Sequence, residues 1–88
     1  MVLTMEQTKD SIDICGVLVH TSKGKEEEVK NALSIIEGVE VHHTTQDSRL
    51  LVTIELQGRQ QIMDTMGSFN DIPYVISTVL TYQHSEEV

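Results

Sequence analysis

One cysteine, one proline, no tryptophan and three other aromatic residues are all that 88 positions hold, and each shortage excludes something. Cys15 has no partner for an intrachain disulfide, so a secreted, disulfide-stapled fold is excluded and a reducing compartment fits. Phe69, Tyr74 and Tyr82 are too few platforms for the base stacking on which single-strand binders depend. Positive charge is scarce as well. Six Lys and Arg stand against 14 Asp and Glu, a formal charge of -8, whose field repels phosphate backbones and anionic membranes and attracts cations. Nucleic acid is not an expected partner.

Long apolar runs are also missing. Nothing approaches the roughly 18 residues of a membrane span, and residues 1–11 lack the basic-then-apolar order of a secretory signal. The chain reads as cytoplasmic, without a membrane partner. Its length leaves room for one small domain rather than a two-domain enzyme.

What is present is a regular alternation of patterns. Residues 12–20 form a β-rich run with two alternating sets, Cys15, Val17 and Val19 against Ile14, Gly16, Leu18 and His20. Both sets are largely apolar, which predicts a central strand. Residues 25–37 carry Val29, Ala32, Leu33 and Ile36 at helical spacing, with Glu26, Glu27, Glu28 and Lys30 on the other side. Ser22 is the expected N-cap and Gly38 the expected stop. A second strand, 39–43, leads through the polar turn 44–48 into a third, 49–56. There Leu50, Val52, Ile54 and Leu56 alternate with the less apolar Leu51, Thr53 and Glu55.

Residues 58–69 are helical again, with Ile62, Met63, Met66 and Phe69 on one side. Residues 72–83 make the last strand, with Pro73 tolerable at its start. Its alternation assigns Ile76, Thr78, Leu80 and Tyr82 to one face and Ser77, Val79, Thr81 and Gln83 to the other. Two helix-to-strand joints, Ile36-Glu37-Gly38-Val39 and Ile72-Pro73-Tyr74-Val75, are 36 residues apart and mark a weak internal repeat. Two βαβ units interleaved in this way predict a ferredoxin-like βαββαβ sandwich of the α+β class, a four-stranded antiparallel sheet in the order 4-1-3-2 with both helices on one face. The domain is expected over residues 12–84, with a flexible tail at 1–11 and an acidic tail at 85–88.

Four histidines and Cys15 invite a metal site. On a regular strand, however, His42 and His43 point to opposite faces and chelate one ion only across a bulge, and Cys15 belongs to the helix-facing set. No Cys-x-x-Cys pair exists, so no metal is expected. An acylphosphatase-like enzyme needs an anion cradle with an arginine after strand one. The turn here is Thr21-Ser22-Lys23-Gly24, Arg49 and Arg59 lie elsewhere, and no nucleophile-base pair follows from spacing. An enzyme is not expected. The acidic helix start at residues 26–28 reads as a solvated face, and the pair Met63 and Met66 as core.

The sheet face without helices remains. Ile14, Gly16 and Leu18 of strand one, Leu51 and Thr53 of strand three, and Val79 and Thr81 of strand four make a mildly apolar platform rimmed by Glu40, His42, Glu55, His20 and Gln83. Dimerisation or plain solvent exposure accounts for such a face as readily as a ligand does. Its apolar centre and acidic edge suit a peptide that combines an apolar stretch with arginines.

Four strings, Cys15-Gly16-Val17-Leu18-Val19, Ile36-Glu37-Gly38-Val39-Glu40-Val41-His42, Leu50-Leu51-Val52-Thr53-Ile54-Glu55 and Val79-Leu80-Thr81-Tyr82-Gln83-His84, resemble the NapD family in order and spacing, over residues 13–87. That family comprises the cytoplasmic assembly chaperones of the periplasmic nitrate reductase. Two departures stand out: the family's second helix leads into a glycine before valine where this chain has Tyr74-Val75, and its closing Tyr-His-Gln is here Tyr82-Gln83-His84. The resemblance implies a ferredoxin-like chaperone that binds the twin-arginine signal peptide of the catalytic subunit NapA and delays export until the molybdenum cofactor is inserted, itself binding neither cofactor nor metal.

On this reading the peptide lays an apolar stripe on Leu18, Leu51 and Val79, and Glu40 and Glu55 face its arginines. The alternatives are an ACT-like regulatory module with a small-molecule ligand and a structural interaction subunit.

Overall fold

The computed structural model describes residues 11–87. The order is β1 (Ser11–Thr21), α1 (Glu26–Ser34), β2 (Val39–Thr44), β3 (Arg49–Leu56), α2 (Arg59–Ser68), a 3-10 turn (Phe69–Asp71) and β4 (Val75–Glu87). The strands form one antiparallel sheet in the order β2-β3-β1-β4. That is the ferredoxin-like topology expected from the interleaved βαβ units.

Period-two alternation carries into the core without slippage on the two central strands. Cys15, Val17 and Val19 pair with Ile54, Val52 and Leu50, and all six are buried under the helices together with Val29 and Leu33 of α1, Ile62 of α2 and Phe69. Burial of its thiol raises the pKa of Cys15, in keeping with a small apolar core residue.

Both helices are shorter than their apolar spacing predicts. Ser22 does not cap α1 through its side chain: Lys25 holds the cap position, the Ser22 carbonyl accepts its N–H at 3.0 Å, and Glu26 reaches back to the Gly24 N–H at 3.1 Å. At the other end the Ile36 N–H turns to the Leu33 carbonyl, a three-residue closure that tightens the last turn and ends the helix before Gly38.

The chain then enters β2 through a turn with an Ile36 carbonyl to Val39 N–H bond of 3.1 Å and Gly38 at φ 82°. The entry to β4 repeats it, with an Ile72 carbonyl to Val75 N–H bond of 3.2 Å and Tyr74 at φ 75°. A positive φ at the third residue alone, with Pro73 or Glu37 before it, marks a type II turn. The last strand therefore starts at Val75 rather than Ile72, because Pro73 and Tyr74 are used in the turn. Tyr74 thus takes the conformation that glycine adopts most easily.

At its far end β4 continues to Glu87, laddered to β1 as far as Ser11 opposite Glu87. Residues 85–87, read from the sequence as a tail, are strand; of the expected tail 1–11, only Ser11 lies inside the described residues. No helix among the described residues is long and apolar enough to cross a membrane.

Candidate functional site

Facing away from the helices, the cross-strand pairs stack into rows. Arg49, His20 and Ser77 form one. Beside it, Leu51 pairs with Leu18, Leu18 with Val79, and His43 with Leu51. Then come Glu40, Thr53, Gly16 and Tyr82, and finally Glu55, Ile14 and His84. The structure thus brings the expected Gly16, Leu18, His20, Glu40, Leu51, Thr53, Glu55 and Val79 onto one face. Leu51 and Val79 are 36% and 55% exposed, apolar surface that no part of the described chain covers.

Three bulges re-aim side chains on the two outer strands. In β2 the register shifts between Val41 and His43, which leaves His42 as the extra residue. His42 Nε2 lies 2.7 Å from Thr53 Oγ1, and His43 pairs with Leu51, so both imidazoles lie on the open side. The expectation that they point to opposite faces fails because a bulge sets two residues against one on the partner strand. Among the described residues, no three His, Cys, Asp or Glu side chains gather into a metal-binding group.

In β4 a second bulge falls at Thr81: Gly16 pairs with Tyr82 but Val17 already pairs with Leu80. This moves Tyr82 to the open face and Gln83, paired with Cys15, to the helix side, reversing the alternation read from the sequence. A third makes Ile76 the extra residue between Val75 and Ser77.

Tyr82 is the residue that alternation missed. Its ring lies across Gly16: a Cβ built there would collide with Cε1 and Cδ1 of Tyr82, and would stand 2.7 Å from Thr81 Oγ1. Gly16 is consequently buried although no helix covers its face, while Tyr82 remains 49% exposed. A glycine in the middle of a central strand is itself the signal of such a close approach.

Electrostatically the face is graded. Glu40 and Glu55 flank Thr53 on adjacent strands as diagonal neighbours, about 7–8 Å apart, and neither has an ion-pair partner among the described residues. At the opposite end Arg49 is held by Asp47. The Asp47 carboxyl, which accepts the Thr45 hydroxyl and faces Arg49, sits below its ordinary pKa. Glu55 also lines a shallow depression with Ile12, Glu37, Leu56, Gln57 and Gln61 at the end of the sheet. Glu37 is an acidic neighbour that strand alternation does not reveal, because it belongs to the turn after α1.

Such a face can hold an elongated ligand with an apolar middle and a cationic end.

Comparison with known proteins agrees in outline. A family model described as NapD protein matches residues 12–87. Among solved structures, the solution structure of the E. coli Tat proofreading chaperone protein NapD superposes with a TM-score of 0.77 at 21% identity, covering 86% of this chain and 80% of that one. No curated protein matches.

Proposed function

The chain belongs to the NapD family, and on that footing we propose that it is a cytoplasmic chaperone that binds the twin-arginine signal peptide of the periplasmic nitrate reductase catalytic subunit NapA. Occupying the peptide delays export until that subunit has matured. The protein performs no catalysis and needs no cofactor of its own.

One observation supports this reading above the rest: the row of half-buried Leu18 with exposed Leu51 and Val79 lies next to two carboxylates, Glu40 and Glu55, that lack an ion-pair partner among the described residues. A signal peptide with two arginines beside an apolar stretch presents the complementary pattern. As a helix it lays the apolar stripe along that row and turns the arginines toward Glu40 and Glu55. His20, His42 and Thr53 border the contact, with Thr53 holding His42 in place, and Gly16 and Thr81 shape its β1–β4 side.

Titrating the leader peptide calorimetrically into a Glu40→Gln, Glu55→Gln double variant tests the reading. If the carboxylates are desolvated by the peptide, truncating the pairs costs about 2–5 kcal/mol. Unchanged affinity at low salt contradicts the carboxylate role.

A further inference from the structure

Resting on that reading, we propose that Tyr82 is a specificity residue: its ring, held across Gly16 by the bulge at Thr81, is the surface on which one arginine of the peptide stacks. The family assignment gives this residue no role. The proposal comes from its placement alone.

Three features make the seat. Gly16 has no Cβ, so the ring lies down on the sheet instead of standing off it. The ring stays half exposed, which leaves it open to a ligand while the glycine beneath is covered. Thr53, the cross-strand neighbour of Gly16, stands between Glu40 and Glu55, so a guanidinium lying on the ring is within side-chain reach of both carboxylates.

Arginine and lysine differ sharply in such a place. The guanidinium is flat, weakly hydrated and donates hydrogen bonds in its plane, so it can stack on an aromatic face and pair with a carboxylate at once. An ammonium is a compact, strongly hydrated charge that gains from the carboxylates but little from the ring. Glu40 and Glu55 alone attract any cation; adding Tyr82 makes the site prefer arginine.

The test is calorimetric titration of the full chain with a twin-arginine leader peptide and with the same peptide carrying lysines in place of the two arginines. The wild-type chain is expected to prefer the arginine peptide, and Tyr82→Leu to reduce that preference on the order of 5- to 30-fold while leaving affinity for the lysine peptide almost unchanged. Tyr82→Phe keeps the ring and retains the preference. Gly16→Ala keeps the tyrosine but evicts its ring, and reduces the preference as Tyr82→Leu does. Thermal melts of each variant establish that it is folded. If the wild-type chain binds the arginine peptide and Tyr82→Leu discriminates as well as wild type, the stacking role is overturned and the signal-peptide reading stands. If the wild-type chain binds neither peptide, both fall.

Discussion

Gly38 and Tyr74, 36 residues apart, occupy the same position of the same turn, with φ of 82° and 75° and an equivalent carbonyl-to-N–H closure around each. Each turn delivers the chain from a helical segment into an outer strand, β2 in one case and β4 in the other. The internal repeat is thus a repeat of backbone geometry, filled once by glycine and once by tyrosine. Tyr74 is held there from two sides: the Ser22 N–H donates to its carbonyl at 2.9 Å, and the Lys25 ammonium sits 4.8 Å from its ring centroid.

The two positions are expected to respond unequally to mutation. A Cβ at residue 38 meets the Glu55 carbonyl oxygen at 2.7 Å as well as the Leu56 side chain, so Gly38→Ala combines left-handed strain with a backbone clash. It should cost about 2–5 kcal/mol. Tyr74→Gly relieves left-handed strain but loses the Lys25 contact and adds unfolded-state entropy, so its effect should stay within about 1 kcal/mol. Urea denaturation of the two variants measures the difference; equal losses contradict the assigned roles.

A second expectation concerns acid. The Glu26 carboxylate accepts the Ser48 hydroxyl at 2.6 Å and the Gly24 N–H at 3.1 Å, and the Ser48 bond is the main cause that lowers its pKa from 4.5. A folded-state pKa below the unfolded one contributes stability above the unfolded value and loses it as pH falls through the folded value. Glu26→Gln should therefore be less stable than wild type at pH 7, and the two should converge as pH falls through the lowered folded-state value. Denaturation midpoints across pH 7 to 3 check this; an offset that stays constant with pH contradicts it.

The two faces of the sheet should separate stability from binding. Ile54 is fully buried on the helix side, and Ile54→Ala should cost about 2–5 kcal/mol. Leu51→Asn with Val79→Asn, on the open side, should change stability by less than about 1 kcal/mol yet weaken leader-peptide binding at least tenfold. Chemical denaturation paired with calorimetry distinguishes the cases.

The graded charge of the open face predicts the direction of the bound peptide. With its arginines over Glu40 and Glu55, a helical peptide runs its C-terminal end, the negative end of its dipole, toward Arg49 and His20. A spin label at that end should broaden the amide signals of His20, Arg49 and Ser77, and one beside the arginines those of Glu40, Thr53 and Glu55. The reverse pattern contradicts this orientation.

Much of this was legible in the sequence because it depends on local periodicity. Val29 with Leu33 and the alternation of Leu50, Val52 and Ile54 identify helix, strand and core from spacing alone, and the central strands pair without a shift. The bulges were not legible, since one extra residue is defined only against a partner strand. Thr81 and His42 look like ordinary members of their strands, and a shift of one residue was enough to send Tyr82 to the open face and Gln83 away from it. The carboxylates Glu40 and Glu55 needed no such information, because both precede or follow the bulges in regular register.

The most direct measurement of the central claim is the amide shift perturbation of the isotope-labelled chain on titration with a twin-arginine leader peptide. The shifts should concentrate on Leu18, Leu51, Thr53, Val79 and Tyr82, with α1 and the exposed side of α2 little changed. Perturbations centred on the helices, or none at saturating peptide, would contradict the assignment of the open sheet face as the binding surface.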